Sequence, residues 1–249
     1  MHRIAQSPTD PDFVQDPYAF YDRARALGPI VYWNDYAMPA VLSYAGTNAI
    51  LRDRRFGREV PPEKRRPVPP HLTPFYAVEA HSMLELEPPR HTRLRSLVLR
   101  AFTSRRIAEL APEIATLSSE LAAALPRNQP FDFPTAFGQK LPVIVICWLL
   151  GVPEAMAPDL WPGRTPWSAC IRPAHRASED RAATATEAFV SFMRGYVETR
   201  RSKTRDDLIT HLIAAESEGE RLLTDELITT CILLLNAGHE ATVHSLASR

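Results

Sequence analysis

Between Thr224 and Arg249 the chain carries a run that leaves few choices of environment. Leu227, Ile228, Cys231, Ile232, Leu233, Leu234 and Leu235 leave almost no polar face, and a helix that is apolar all round belongs inside a core rather than on a surface. Thr224 supplies a cap, and Asp225 and Glu226 fall in the first turn, where the helix dipole stabilises carboxylates. The character then changes over Asn236-Ala237-Gly238-His239-Glu240-Ala241-Thr242. At about 100° per residue, Ala237, Gly238, Ala241, Thr242 and Ser245 share one side, a strip of small side chains flanked by the acid Glu240. Gly238 costs a helix interior about 1 kcal/mol relative to Ala, which a close approach of another helix or of a ligand would explain. Both readings stand on the sequence. A zinc site does not: the second histidine would be needed where Val243 stands, and His239 and His244 lie about 140° apart.

A chain of 249 residues, 45% of them hydrophobic, can bury a sizeable core in one or two domains. Its 29 basic and 29 acidic side chains balance, so charge gives no drive toward nucleic acid or an anionic membrane. The stretch from Met1 to Phe13 is polar and interrupted by prolines, with no apolar signal core. The longest apolar run, Val143 to Leu150, falls well short of the ~20 residues of a membrane span. The expectation is a cytoplasmic protein that engages neither nucleic acid nor membrane. Cys147, Cys170 and Cys231 are odd in number and widely spaced, which indicates neither a disulfide framework nor a zinc knuckle.

The remaining chain predicts a mainly α fold with one small β hairpin. Asp16-Pro17-Tyr18 opens a helix that runs to Leu27 and is closed by Gly28-Pro29. Ile30 to Trp33 and Pro39 to Ser43 are strand-like, with Asn34-Asp35 as the turn. Tyr44 to Arg54 predicts a helix. Residues 55–86 are crowded with prolines and lack a period, which predicts a long functional or mobile loop. Past Glu87-Pro88-Pro89 a helix places Leu94, Leu97, Val98, Ala101 and Phe102 on one arc. His91 and Arg95 sit one turn apart at its edge, while Arg93, Ser96 and Arg100 point away. An Arg and a His at an apolar boundary call for an anionic acceptor; the alternative is an Arg snorkelling to water beside a core histidine. Thr103-Ser104 and Pro112 start further helical turns, with Ile114, Leu117, Leu121 and Leu125 at helical spacing. Residues 131–150 are nearly all apolar and end at Gly151 and Pro153. Residues 154–176 are loop-like. From Glu179 to Arg201 a stripe of Phe189, Phe192, Met193, Tyr196 and Val197 predicts a core-facing helix. Asp206-Asp207 starts another, through Glu216, and Gly219 turns the chain toward Thr224.

Taken together, Glu87-Pro88-Pro89-Arg90-His91-Thr92-Arg93-Leu94-Arg95, Ala101-Phe102-Thr103, Val145-Ile146-Cys147 with Leu149-Leu150-Gly151-Val152-Pro153, and Leu235 to Thr242 resemble the bacterial, soluble cytochrome P-450 family of haem-thiolate monooxygenases. The likeness is collinear over nearly the whole chain. It implies the family's helical fold as a single incomplete domain over 1–249, with a haem-binding helix at 88–102, a substrate roof at about 154–200 together with the loop 55–86, and the central oxygen-binding helix at 224–249. It implies haem b as cofactor, with His91 and Arg95 on the propionates and Ala237, Gly238 and Ala241 against the haem face. Glu240 would serve proton delivery, with Thr242 as its hydroxyl neighbour. The implied partners are a small organic substrate, O2 and a ferredoxin/ferredoxin reductase-type electron donor.

The same likeness exposes two departures. The family usually has Thr directly after the acid, where this chain has Ala241, so proton delivery would lean on ordered water or a substrate hydroxyl. The Cys loop that ligates the iron lies beyond Arg249 in the family, and none of the three cysteines stands in that context. No metal ligand is therefore expected within these residues. The other functional reading is a non-catalytic, truncated helical fragment or binding module.

Overall fold

The computed structural model describes residues 1–65, 67–156, 176–217 and 219–247. Two units are distinguished, Met1–Gly57 and Arg58–Arg249. In the first, β1 (His2–Ile4) pairs in parallel with β2 (Val31–Trp33), which pairs antiparallel with β3 (Met38–Ala40), Tyr32 facing Pro39. The hairpin is the expected one, its turn a single 3-10 turn over Asn34–Tyr36 closed by Ala37 at φ 51°. β1 is an addition to the sequence reading; three residues with only Ile4 apolar give no periodic signal. Helices α1 (Pro11–Gln15), α2 (Tyr18–Ala26) and α3 (Tyr44–Arg52) complete this unit. Phe20, Ala24, Val31 and Trp33 form its core. Phe13 packs edge-on to Phe20 and Trp33, and the Trp33 indole N–H donates to the Gln6 carbonyl at 2.8 Å.

The second unit is helical. Its elements are α4 (Thr73–Glu79), α5 (Arg90–Ala101), α6 (Ser104–Glu109), α7 (Ala111–Ala123), α8 (Lys140–Leu150), α9 (Arg176–Ser202), α10 (Leu208–Ala214), the short ribbon β4 (Glu216–Ser217) and β5 (Glu220–Arg221), and α11 (Thr224–Ala247). The proline-rich stretch is more ordered than its composition suggests. Pro74 stands in the first turn of α4, where a missing N–H costs nothing, so it starts a helix instead of breaking one. The helix expected to run through Glu216 stops at Ala214, because Glu216 and Ser217 pair with Arg221 and Glu220 around Gly219. Most of the stretch read as loop, 157–175, lies outside the described residues.

One core joins α5, α8, α9, α10 and α11. Leu97, Cys147, Leu150, Met193, Val197, Leu208, Ile209, Leu212 and Cys231 are all fully buried in it, each Leu or Ile contributing about 1.5–3 kcal/mol. Of the stripes read from spacing, Leu94, Leu97, Val98 and Ala101 on α5 and Met193 and Val197 on α9 are buried, while Phe102, Phe189, Phe192 and Tyr196 are half-buried and pack against the same core. A polar knot fixes how three of these helices meet. Gly151, at φ 81°, ends α8, and a Cβ there would lie 2.3 Å from Asp207. Asp207 caps α10 through the Thr210 N–H at 2.8 Å and accepts from Arg200 Nε at 2.7 Å. Arg200 and Tyr196 both donate to the Gly151 carbonyl. Arg200 and Asp207 are 3% and 4% exposed, so each neutralises a charge that burial would otherwise make costly.

Candidate active site

The apolar arc of α5 is buried as its spacing predicts: Leu94, Leu97, Val98 and Ala101 all face the core. That orientation leaves His91 half-buried and Arg95 exposed at the edge of the arc. Neither side chain has a hydrogen-bond or ion-pair partner among the described residues. Arg93 is the correction. It does not point to bulk water but donates to the Glu226 carboxylate, to Glu220 at 3.2 Å and to the Arg221 carbonyl at 3.3 Å. A helical projection ranks residues only against their own arc, and here the far flank of α5 is covered by the β4–β5 ribbon and the start of α11.

Glu226 also revises the start of α11. Thr224 is the first helical residue, not the cap; Glu226 in the first turn reaches back to accept the Leu223 N–H at 2.9 Å, as the acid of a capping box does. The next turns are buried as expected, with Leu227, Ile228, Cys231, Ile232 and Leu235 in the core. From residue 236 the small strip divides between two tasks. A Cβ on Gly238 would meet Ile146 of α8 at 2.5 and 3.0 Å, so this glycine answers to helix packing. Ala237, Ala241, Thr242 and Ser245 are exposed, while His239 and Val243 are buried on the other side. The Thr242 hydroxyl donates to the Gly238 carbonyl at 2.9 Å, which leaves it only lone pairs to offer. The Glu240 side chain lies outside the described residues. Among the described residues, no three His, Cys, Asp or Glu side chains gather as a metal site.

The two described cysteines are inert thiols. Burial pushes Cys147 up to about 11 and Cys231 up to about 12, with Glu154 and Asp207 respectively adding to the effect. Neither is a thiolate near neutral pH; Cys170 lies outside the described residues. The donor set that remains suits a flat apolar ring carrying carboxylates. Two cationic or proton-donating side chains stand one turn apart with no hydrogen-bond or ion-pair partner among the described residues, and Ala237 and Ala241 of α11 are exposed and extend no further than Cβ. The iron of such a ring finds no ligand among the described cysteines.

Several contacts here had no local signal in the sequence. Arg93 and Glu226 are 133 residues apart, and His71 meets Glu179 at 2.9 Å across 108 residues.

The mainly helical fold sets the class of the protein, and its likeness to known proteins gives the family. No protein-family model matches the chain. It is 33% identical over 250 residues to the vitamin D(3) 25-hydroxylase of Pseudonocardia autotrophica, covering 95% of this chain and 57% of that protein. It is 35% identical over 244 residues to the cytochrome P450 monooxygenase PikC of Streptomyces venezuelae, covering 95% and 56%. Among solved structures it superposes on P450BioI in complex with an acyl carrier protein ligated to hexadec-9Z-enoic acid, with a TM-score of 0.84 at 28% identity over 96% of this chain and 62% of that one. The chain belongs to the bacterial cytochrome P450 family and corresponds to the N-terminal portion of its members. It spans about 57% of the length of these curated relatives. Among the described residues no helix is long and apolar enough to cross a membrane.

Proposed function

We propose that a protein carrying this chain, continued as its relatives are, is a cytoplasmic haem-dependent monooxygenase. It would insert one oxygen atom from O2 into a small organic substrate, with electrons from a ferredoxin-type donor. Haem supplies the oxygen chemistry when bound, and the protein supplies orientation and protons. His91 and Arg95 hold the ring's carboxylates through charge-assisted hydrogen bonds. Ala237 and Ala241 admit the ring face, and Gly238 keeps α11 seated on Ile146. Thr242, its proton committed to the Gly238 carbonyl, would accept from a water or a substrate hydroxyl and so hold it in place, and Glu240 would pass protons to that water. The stretch 55–86 and the region 154–200 roof the substrate.

Relatives of this chain act on or bind different molecules, vitamin D(3), mycinamicin IV and a fatty acid on a carrier protein among them. The substrate proposed here is therefore no narrower than an apolar organic molecule. The observation that supports this reading is the pair His91 and Arg95, one turn apart at the edge of the apolar arc of α5 and without a hydrogen-bond or ion-pair partner among the described residues. Haemin titrated into the 249-residue chain tests it. Uptake that weakens in His91→Ala and in Arg95→Ala supports the reading; identical uptake in both variants and the parent sinks it. The second reading, a non-catalytic helical fragment or binding module, is favoured by the two protonated, buried thiols. It predicts that reduced 249-residue chain under carbon monoxide develops no thiolate-type difference band, and appearance of that band would remove it.

A further inference from the structure

On the side of α8 turned away from α11, a groove of about 970 Å³ lies between α7 and the turn that follows α8. Ile146, which closes on Gly238, and Trp148, which lines the groove, stand about 160° apart around α8. No residue of α4, α5, α9 or α11 is among the described lining, and Glu154 alone falls within the stretch assigned to the substrate roof. Helix α8 itself thus stands between this groove and the small-residue face of α11.

The floor of the groove is apolar. Leu117, Leu149 and Val152 are buried beneath it, and the half-buried Trp148 indole donates to Glu154 at 3.4 Å. The rim is acidic, and part of that acid is already engaged: Glu109 by Arg105 at 2.8 Å and Asp206 by His211 at 2.9 Å. Glu113, Glu120 and Glu154 form no ion pair among the described residues, and Arg205, the one cation of the described lining, pairs with none of them. Carboxylates alone make a solvated face; an apolar floor with an indole set among them makes a place for an aliphatic stem that carries cations. Glu113 and Glu120 stand seven residues apart on one face of α7, about 10 Å along its axis. We propose that this groove binds a linear aliphatic diamine or polyamine, with two ammonium groups on Glu113 and Glu120 and the methylene chain laid over Trp148 and the floor. Each ammonium answers a carboxylate that has no cation, and the stem takes the apolar floor out of water.

The test uses the 249-residue chain with labelled indole nitrogens. It is titrated with the eight-carbon terminal diamine, whose extended chain spans about 10 Å, and separately with octylamine and with putrescine. A saturable shift of the Trp148 indole N–H is expected, the signal being assigned by its loss in Trp148→Phe. The diamine should bind about fivefold more tightly than octylamine, which lacks the second cation, and than putrescine, which is too short to span the pair. Glu113→Gln and Glu120→Gln, both at exposed positions where folding is not at stake, should each bring the diamine down to the affinity of octylamine. Thr116→Arg, one turn from both acids, sets a resident guanidinium between them and should weaken diamine binding at least fivefold. The site is overturned by a lack of saturable shift at Trp148 in the parent chain, or by diamine binding that survives Thr116→Arg undiminished. Equal affinities of diamine and octylamine, or Gln variants that bind the diamine as the parent does, overturn the assignment of the two carboxylates.

Discussion

Arg93 and Arg95 stand two residues apart on α5, yet the first is bound to Glu226, Glu220 and the Arg221 carbonyl while the second makes no hydrogen bond or ion pair among the described residues. The difference lies in what each flank faces. On the Arg93 flank a carboxylate only 4% exposed is already capping α11, and leaving it unpaired would cost several kcal/mol. That arginine belongs to the fold. On the other flank the cation sits in water at little cost until an anion arrives. A paired charge therefore marks a joint of the fold, and the unpaired one beside an apolar boundary is where the proposed ligand reading is to be tested.

The sharpest way to break this comparison is Arg93→Ala. It strands Glu226, and denaturant unfolding should show a loss of about 3 kcal/mol, the low end of the range for breaking a buried pair because Arg93 is itself 26% exposed. A loss under about 0.5 kcal/mol would return Arg93 to the surface class. On the opposite flank, His91→Ala and Arg95→Ala should leave unfolding within about 0.5 kcal/mol of the parent. Each should weaken haem binding by roughly 1.5–3 kcal/mol, read from haemin titration. If either variant unfolds as readily as Arg93→Ala, the two flanks are alike and the ligand reading fails. Gly238→Ala sets overpacking of about 1–3 kcal/mol against Ile146 against about 1 kcal/mol of helix propensity gained. A net loss of roughly 1 kcal/mol is expected by thermal or urea melting, and a net gain would show that Ile146 yields freely. The smallest effect belongs to Ala241→Thr. Its site is exposed, so stability should fall only by the roughly 0.5 kcal/mol that Thr costs a helix interior relative to Ala. In a complete protein, product formed per NAD(P)H should stay level or fall, because Thr242 and Ser245 already offer a water its partners. A clear rise in that ratio would show that the missing hydroxyl limits proton delivery.

The long apolar run of α11, the arc of α5 and the stripe of α9 were legible because a helix buries a fixed period, and that period is written in consecutive residues. The small-residue strip was legible as a place of close approach. What it meets was not: only the fold shows that Gly238 closes on Ile146 while Ala237 and Ala241 stay open. Contacts between distant residues left no trace in the sequence. Asp207 read as a helix start and Gly151 as a helix stop, and both are, but nothing local announced that one presses against the other. Pro74 misled for a related reason, since a proline's meaning depends on whether it falls in the first turn or later. Cys147 and Cys231 were readable as buried thiols from their apolar neighbours alone.

The knot at Gly151 has a mechanical consequence. Tyr196 and Arg200 hold one end of α9 to a single carbonyl, and the helix extends 27 residues from Arg176 to Ser202, about 40 Å of stiff rod. Ala183, Thr186, Met193 and Val197 are buried along that rod, so its angle is set jointly by the knot and by the helices packed on it. At this length a difference of about 5° in that angle corresponds to roughly 3 Å at the far tip. The His71–Glu179 clasp sits close to that tip, where a single bond has the greatest leverage over the angle of the whole helix.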